Sequence, residues 1–400
     1  MSSRPLTVAV VGATGAVGVE FLRCLAARRF PVKELRLLAS ARSVGRELSF
    51  DGKALVVQEL TEKSFEGVDI ALFSAGGGIS KRYAPIAVAA GAIVVDNSSA
   101  FRMDPEVPLV IPEINAGAIA NHKGIVANPN CAAIIAITPL WPIHLHNRIR
   151  RMNIATYQAA SGAGAAAMDE LADSTRAYLD GRSFQPRVLP HPYAFNLFSH
   201  NTAIDPATGY NDEETKVMRE TRKIYGDEEL RLSATCVRVP VLRAHAAAVT
   251  FECERPIDEA RVRALLANAP GVRIVDDRER NVFPMPRDAS QQDDILVGRI
   301  RQDLGDPTGH SISLFVAGDQ LLKGAALNAV QIAEHLLAAW SGRTPLPQPG
   351  RGLTGWTTSS SRRGWRDWSR PWSSPARKRA GEPVRRGSCS RPARAAASRA

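Results

Sequence analysis

Short apolar runs and helix-periodic stretches alternate over the first 130 residues. The apolar run at 6–11 predicts a buried strand, and the stretch at 15–29 places its apolar residues on one helical face. Further strands are predicted at 35–39, 69–73, 93–95 and 109–111. Strands that alternate with helices in this way favour a parallel sheet with helices on both faces.

Longer and more regularly alternating segments begin near residue 149. Helices are predicted at about 165–180 and 257–268, and a loop rich in Pro, His and Asn is predicted at 181–212. Alternating polar and apolar positions predict strands at 149–159, 231–239, 246–254, 295–301 and 311–316. This pattern is typical of a largely antiparallel sheet with helices on one face.

An amphipathic helix is predicted at 321–340, where the regular patterning of the chain ends. Residues 341–400 are dominated by Arg, Ser, Ala, Pro and Gly and carry no periodic apolar face. They hold 14 Lys and Arg but two acids, so the tail carries +12 and residues 1–340 carry −1, for a net charge of +11. Such a segment buries too little apolar surface to order itself, and we predict a disordered basic tail.

Charge and cysteine usage exclude several classes of protein. A nearly neutral body offers no general attraction for polyanions, so nucleic-acid binding is expected only as non-specific contacts of the tail. Five scattered cysteines give neither a disulfide framework nor a metal-ligand spacing, and we expect no metal. No apolar run is long enough to span a membrane, and 6–11 is too short for a signal peptide. We therefore expect a cytoplasmic protein without membrane contacts.

A glycine-rich loop follows the first predicted strand. Residues 12–18 read Gly-Ala-Thr-Gly-Ala-Val-Gly, and the next residues begin the first predicted helix. Glycines there let the backbone approach a pyrophosphate, and the helix start offers unpaired N–H groups. The spacing is GxxGxxG, so a tight turn without a ligand is the alternative. The predicted cofactor contacts are Gly12, Thr14, Gly15, Ala16 and Val17.

The end of the second predicted strand indicates which nucleotide is bound. NAD sites usually place a carboxylate there for the ribose 2′-hydroxyl, whereas this chain has Ser40, Arg42 and Ser43. Two hydroxyls and a guanidinium suit a 2′-phosphate by charge and hydrogen bonding. We predict NADP(H), with a solvated basic turn as the alternative.

Cys131 is the candidate nucleophile. It follows Asn-Pro-Asn, between a short strand at 125–127 and an apolar helix that runs to about residue 140. Unpaired N–H groups at a helix start lower the pKa of a thiol, although a buried apolar cysteine is the alternative. A thiol beside a nicotinamide suggests acyl transfer coupled to hydride transfer. Among the eight histidines His245 is the candidate acid/base, with a structural hydrogen-bonding role as its alternative.

Over about residues 5–340 the sequence resembles aspartate-β-semialdehyde dehydrogenases. Several motifs occur in the order of that family, and together they are more specific than any one of them. They lie at 12–18, 98–102, 111–115, 128–131, 157–164, 213–216, 238–245 and 324–328. The resemblance implies an α/β fold with a Rossmann-type NADP-binding domain and an α+β substrate and dimerisation domain. The expected boundaries are 1–130, completed by a helix at 318–340, then 131–317, then the tail 341–400.

The resemblance also implies a role for each matched residue. Cys131 would be the nucleophile, His245 the acid/base, and Gln158 would orient the acyl intermediate. The remaining implied contacts are Arg238 to the substrate α-carboxylate, Glu213 to its ammonium, Arg102, Asn130 and Lys216 to phosphate, and Ser161, Gly162 and Gln320 to NADP. Without the resemblance, a surface salt bridge would be the simpler interpretation of Glu213 and Lys216.

The implied reaction is the NADPH-dependent reductive dephosphorylation of L-aspartyl 4-phosphate to L-aspartate 4-semialdehyde, through a thioester on Cys131. The step serves lysine, threonine, methionine and diaminopimelate synthesis, in a homodimer or a dimer of dimers.

Two alternatives remain open. N-acetyl-glutamyl-phosphate reductase has related chemistry, but its cysteine sits in a Gly-Cys-Tyr-Pro context. A non-catalytic homologue would have lost Cys131, Gln158 or His245, and all three are present.

The tail has no counterpart in the family, and its composition resembles GC-rich DNA read in another frame. It is therefore either a genuine extension or a frameshift or read-through product.

Overall fold

A computed structural model describes residues 5–340 of the 400-residue chain, so the predicted tail at 341–400 lies outside the described residues. The described strands are β1 Leu6–Val11, β2 Val32–Ala39, β3 Glu47–Phe50, β4 Lys53–Val56, β5 Gln58–Glu59, β6 Ile70–Phe73, β7 Ile93–Asp96, β8 Ile125–Ala127, β9 Ile149–Gln158, β10 Phe198–Ser199, β11 Arg231–Arg238, β12 His245–Cys253, β13 Val272–Ile274, β14 Ile295–Gln302 and β15 Ser311–Gly318. The described helices are α1 Ala16–Ala27, α2 Gly77–Ala89, α3 Pro112–Asn115, α4 Cys131–Ile137, α5 Trp141–His146, α6 Ala165–Leu179, α7 Asp212–Tyr225, α8 Glu259–Ala267, α9 Pro286–Ala289 and α10 Leu327–Trp340. Within this part of the chain, no helix combines the length and apolar character needed to cross a bilayer.

The first sheet is parallel throughout, as the alternation of strands and helices predicts. Its strand order is β5-β2-β1-β6-β7-β8. All six residues of β1 are buried because helices cover both faces of the sheet. Val8 and Val10 pack in a core with α1 and α10, whereas Ala9 and Val11 pack with α2 on the opposite face.

The strand predicted at 109–111 is wrong. Leu109 makes only an isolated parallel bridge to Ala127. Pro108 precedes this segment, and Pro112 begins α3 directly after it. The Val110 N–H donates to the Ala127 carbonyl, but the Ile111 N–H donates to the Asn115 Oδ1 of α3, and Pro112 has no N–H with which to continue a ladder.

A small hairpin, β3–β4, was not predicted. Asp51 and Gly52 join its strands, with φ values of 47° and 77°. Two successive positive φ values are typical of a type I′ turn, for which Asp-Gly is a favoured pair. The turn dipeptide was therefore a readable signal.

The second sheet is mixed, in the order β10-β11-β9-β12-β15-β14-β13. The β9–β11 and β13–β14 pairs are parallel, and the other four pairs are antiparallel. Along β9, Met152 and Ile154 are buried under helices, whereas Arg151 and Asn153 point to the exposed face. The predicted fold class is confirmed by this pair of sheets.

The helix predicted at 321–340 has two parts. A π-helical turn at Leu322–Ala326 precedes α10. Leu327 and Val330 of α10 join the core formed by α1 and one face of the parallel sheet. Such π-helical turns are often found at functional sites, and this one abuts Cys131, as described below.

Candidate active site

Cys131 is the first residue of α4, which follows the last strand of the parallel sheet. The preceding residue, Asn130, caps the helix, and its Oδ1 accepts from the N–H groups of Ala132 at 2.9 Å and Ala133 at 3.1 Å. An Asn at this position stabilises a helix start by satisfying N–H groups that have no intrahelical partner. The local sequence thus fixes where the thiol stands.

Cys131 and His245 lie side by side although 114 residues separate them. The Cys131 Sγ is 3.5 Å from the His245 Nε2, and the Ala159 N–H donates to the His245 Nδ1 at 3.0 Å. Because Nδ1 accepts a hydrogen bond, the neutral ring carries its proton on Nε2, beside the sulfur. This geometry presents His245 to the site as a hydrogen-bond donor.

Both groups are uncharged in the free site. Burial raises the pKa of the Cys131 thiol to about 12, the Glu213 carboxylate adds to that rise, and Arg102 and Arg238 oppose it. Burial holds the pKa of His245 well below its ordinary value, and the Arg238 charge lowers it further. The lowered thiol pKa expected from the helix start is therefore not met, because burial outweighs the neighbouring N–H groups.

The backbone before His245 is strained. Ala244 is fully buried and has a φ of 72°, a left-handed conformation that costs a non-glycine residue about 1–3 kcal/mol. Its N–H donates to the Gln320 Oε1 at 2.9 Å, and the Gln320 Nε2 donates to the Ser161 Oγ. Gln320 and Ser161, both predicted cofactor contacts, therefore also hold the turn that presents His245.

Glu213 gathers three predicted site residues around one carboxylate. Its Oε1 accepts from the Asn130 Nδ2 at 2.9 Å and the Gln158 Nε2 at 3.2 Å. The Lys216 Nζ lies 3.9 Å from its Oε2. Burial alone would raise the pKa of Glu213, whereas the hydrogen bonds from Asn130 and Gln158 and the charge of Lys216 lower it. The buried carboxylate is therefore kept charged.

Arg238, at the end of β11, is buried with one donor unpaired. It donates from Nη1 to the Ala159 carbonyl at 3.2 Å and from Nη2 to the His200 Nε2 at 2.8 Å. Its Nε has no hydrogen-bond partner in the described structure. A buried unpaired N–H is costly, so this guanidinium can accommodate a bound acceptor such as a carboxylate.

Gly162 leaves the space that the His245 and Arg238 side chains occupy. A Cβ atom at this position would lie 2.9 Å from the His245 Cε1 and 3.0 Å from the Arg238 Nη1. A real Cβ does not approach other atoms that closely, so any larger residue would displace one of the two side chains. Gly162 was predicted as a cofactor contact, and this spacing role was missed.

Arg102 is held on three sides. It donates to the carbonyls of Asn128 at 2.9 Å and Asn97 at 2.7 Å, and its Nη1 lies 3.1 Å from the Glu220 Oε1. The Glu220 Oε2 accepts from the Asn130 N–H at 2.6 Å. Sequence reasoning missed Glu220, although its position seven residues after Glu213 places both acids on one face of α7.

Two glycines of the predicted nucleotide loop, Gly12 and Gly18, have no room for a Cβ atom. A Cβ at Gly12, whose φ is 85°, would lie 2.4 Å from the Ser74 carbonyl oxygen, and one at Gly18 would lie 2.2 Å from the Gly12 carbonyl oxygen. No described side chain caps α1. Only glycine fits these two positions, and the uncapped helix start suits a phosphate.

The turn after β2 reaches this loop. The Thr14 hydroxyl donates to the Ser43 Oγ at 3.4 Å. Ser40 and Arg42 are exposed in the same turn, and the residue that ends β2 is Ala39. The predicted cofactor residues from the two loops are thus neighbours, with no carboxylate at the strand end.

A buried lysine network behind Cys131 was not predicted. The Lys323 Nζ donates to Glu113, Asn328 and Gln331 at 2.5–2.8 Å. The next residue, Gly324, is so close that a Cβ there would lie 3.0 Å from the Cys131 Cβ. No cluster of metal-ligating side chains occurs among residues 5–340.

Comparison with known proteins assigns the two halves of the chain. Residues 7–122 match the model of a semialdehyde dehydrogenase NAD binding domain, and residues 140–323 match that of a semialdehyde dehydrogenase dimerisation domain. Aspartate-semialdehyde dehydrogenase of Synechocystis sp. is 54% identical over 333 residues, which is 83% of this chain and 98% of the relative. The Bacillus subtilis enzyme of the same name is 46% identical over 343 residues, covering 83% and 98%.

A solved structure agrees with these matches. The crystal structure of aspartate semialdehyde dehydrogenase II from Vibrio cholerae, complexed with ASA, superposes with a TM-score of 0.82 at 44% identity. The match covers 84% of this chain and all of that chain. Sequence and structure therefore place residues 5–340 in one family.

Proposed function

The chain belongs to the aspartate-semialdehyde dehydrogenase family of oxidoreductases, and from that premise we propose that it converts L-aspartyl 4-phosphate to L-aspartate 4-semialdehyde with NADPH. The observation that carries the proposal is the Cys131–His245 contact at 3.5 Å beside the buried, incompletely bonded Arg238. This contact would bring together a nucleophile, Cys131, a proton donor, His245, and a carboxylate-binding group, Arg238. The product would feed lysine, threonine, methionine and diaminopimelate synthesis.

The two ends of the amino-acid group would bind to opposite charges. Arg238 offers an unpaired Nε to the α-carboxylate, and a guanidinium matches a carboxylate in shape and charge. Glu213 is kept ionised and would face the ammonium. Gln158 is the last residue of β9, and its amide donates to Glu213. From there it would orient the acyl group.

The phosphate would lie near Lys216, Arg102 and Asn130. Lys216 is partly exposed, and its Nζ lies 3.9 Å from the Glu213 Oε2, which is beyond hydrogen-bonding distance. Its ammonium can therefore also approach a bound anion. Arg102 keeps N–H groups beyond the three bonds that fix it. Asn130 stays in this proposed set, although its carboxamide bonds α4 and Glu213.

Cys131 would carry the acyl group between two steps. Its thiolate attacks the acyl carbon, a C–S bond forms, and the C–O bond to phosphate breaks with the electron pair leaving on phosphate. Bound NADPH supplies the hydride that reduces this thioester. The C–S bond of the resulting thiohemiacetal then breaks, its electron pair returns to Cys131, and the aldehyde is released.

His245 is placed for the acid part of its predicted role. Its Nε2 proton can hydrogen-bond to the anionic oxygen that forms on the acyl carbon in each step. To accept the Cys131 proton at Nε2, the ring would first have to give up the bond from the Ala159 N–H. The base part of the role therefore requires a change of tautomer.

The described residues fit an NADP molecule. Gly12 and Gly18 keep the loop free of Cβ atoms, and the uncapped start of α1 would receive the pyrophosphate. Ser40, Arg42 and Ser43 would take the 2′-phosphate, because no carboxylate ends β2 to hold a 2′-hydroxyl.

Substitution of Arg42 tests the choice of cofactor. Arg42→Ala should weaken NADP binding about tenfold or more while leaving NAD binding unchanged, because a charged hydrogen bond to the 2′-phosphate is lost. The measurement is KM for each cofactor. Lys33→Ala, an exposed change at the other end of β2, is the matched control. Equal losses for NADP and NAD would show that Arg42 only supports the loop.

The activity is tested in the reverse direction. Purified chain with L-aspartate 4-semialdehyde, NADP and inorganic phosphate should form NADPH only when phosphate is present. Cys131→Ser should retain the fold and bind NADP but lose nearly all turnover, because a hydroxyl is far less ionised than a thiol. Activity with N-acetyl-glutamate semialdehyde instead would favour the reductase alternative.

We further propose a homodimer located in the cytoplasm, with the domain boundaries predicted above. The dimerisation-domain match covers the mixed sheet, and Arg151, Asn153 and Tyr157 on one face of β9 are exposed. Tyr157 on this face is 37% exposed, and its ring centroid lies 6.0 Å from that of Phe315, with the two rings tilted by 42°. Light scattering of Tyr157→Asp tests the contact, and an unchanged dimer mass would exclude this face.

A further inference from the structure

His200 is buried in the loop between α6 and α7, at the edge of the proposed substrate site. It directly follows β10, is 7% exposed, and its N–H donates to the Cys236 carbonyl at 2.8 Å. That bond continues the pairing of β10 with β11, the strand that ends at Arg238. The pairing of these two strands thus places the His200 ring next to Arg238.

The hydrogen bonds of His200 fix its tautomer. Arg238 Nη2 lies 2.8 Å from the His200 Nε2, and because a guanidinium only donates, Nε2 must accept. The ring proton is then on Nδ1, which is 3.3 Å from the Thr202 Oγ1. The same hydroxyl accepts from the Glu213 N–H at 3.2 Å. A continuous chain of hydrogen bonds therefore joins Arg238 to the start of α7.

This series of hydrogen bonds requires a neutral His200 ring. A protonated His200 would turn an N–H toward Arg238 and place two cations in contact. Burial lowers the pKa of His200 to about 4; Glu213 raises it, and Arg238 and Lys216 lower it. The ring therefore stays a hydrogen-bond acceptor at physiological pH.

We propose that His200 is the positioning residue that orients Arg238 for the substrate α-carboxylate. With Nη1 bonded to the Ala159 carbonyl and Nη2 bonded to His200, the plane of the guanidinium is defined by two contacts, and Nε stays without a partner. The described hydrogen bonds of His200 are to Arg238, Thr202 and Cys236, and none of them is to Cys131 or to a predicted phosphate contact. The inference rests on the proposed function, because it assigns a carboxylate to Arg238.

The test uses full-length chain carrying His200→Ala, His200→Gln or His200→Asn. His200→Ala should raise KM for aspartate semialdehyde about tenfold or more, the range for a hydrogen bond to a charged group, and leave KM for phosphate and NADP unchanged. Gln offers an acceptor oxygen near the position of Nε2 and should restore most of the loss. Asn is too short and should resemble Ala. His191→Ala, an exposed histidine of the same loop, is the matched control.

A double-mutant cycle with Arg238→Lys separates positioning from packing. If His200 acts through Arg238, the His200→Ala effect on KM should vanish in the Lys background. It should also vanish with 3-aminopropanal, an aldehyde that lacks the α-carboxylate. Should His200→Ala fail to fold, the Gln and Asn variants carry the same comparison.

Three results would overturn the proposal. They are an unchanged KM in His200→Ala, equal losses for all three reactants, or an effect that persists with Arg238→Lys. A wild-type chain without phosphate-dependent activity toward aspartate semialdehyde would instead refute the proposed function, and the assignment of His200 would fall with it.

Discussion

At the scale of single residues, the site keeps charges in places where burial disfavours them. Glu213 is 7% exposed and Glu220 is 1% exposed, and each accepts hydrogen bonds from two donors. A buried charge without partners would cost several kcal/mol, so these bonds are needed to retain the carboxylates. Burial raises the pKa of the Cys131 thiol most, the negative charge of Glu213 adds to that rise, and the charges of Arg102 and Arg238 oppose it.

The pKa of Cys131 gives a prediction at this scale. In the free enzyme, alkylation by iodoacetamide should be slow at pH 7 and rise about tenfold per pH unit toward the thiol pKa, because only thiolate reacts. Glu213→Gln keeps the acceptor oxygen but removes the charge, so the pKa should fall and alkylation at pH 8 should accelerate. The measurement is the pH profile of the alkylation rate.

The control for this experiment is Glu229→Gln, whose side chain is 86% exposed and bonded to Arg148. It should leave the alkylation profile unchanged. An alkylation rate in wild-type protein that is already maximal at pH 7 would contradict the raised thiol pKa.

At the scale of elements, the ends of strands and helices bring the reacting groups together. α7 provides Glu213 near its start and Glu220 seven residues later. One helix therefore both lines the site and holds Arg102 by an ion pair. β12 begins at His245, directly after the strained Ala244. The strain persists because Gln320 holds the Ala244 N–H.

The short turn after β9 gives a prediction at this scale. Gly162→Ala should lower kcat/KM by about tenfold or more, because the new Cβ displaces His245 or Arg238 by a few tenths of an ångström or more. The melting temperature should change little. Gly117→Ala, where an added Cβ meets nothing within 4 Å, is the control. Wild-type kinetics in Gly162→Ala would show that the turn relaxes without cost.

At the scale of the whole molecule, Arg243 links the two sheets. Its Nε donates to the Asp319 Oδ2 at 2.7 Å, after β15, and its Nη1 donates to the Glu20 Oε1 at 2.8 Å, on α1. Arg243 stands two residues before His245. The segment that precedes β12 is therefore bonded to the helix that follows the predicted nucleotide loop.

Deletion of 341–400 gives the prediction for the whole chain. The relatives match 83–84% of this chain but 98–100% of their own length, and residues 5–340 contain every proposed site residue. The truncated protein should therefore keep its turnover and melting temperature. It should lose salt-sensitive retention on heparin, because the tail holds 14 basic residues. Loss of folding or of most turnover would make the tail structural.

The sequence by itself determined the local structure and the position of Cys131 at a helix start. Hydrophobic periodicity placed β1, β9 and β12 to within one residue at each end, because the period of a strand appears in the polarity of neighbouring positions. Cys131 and the nucleotide loop were readable because their motifs act through adjacent backbone. The apolar triplet at 109–111 does not extend the sheet as a strand, because the Ile111 N–H bonds to Asn115 and Pro112 begins α3.

Only the tertiary structure decided which distant groups meet and how they ionise. His200 reaches Arg238 across 38 residues, and Glu220 reaches Arg102 across 118. These partners follow from strand order and helix packing, which no local pattern specifies. The thiol pKa shows the same division. The sequence carried the helix start that lowers it, whereas the burial that raises it to about 12 depends on residues from the whole fold.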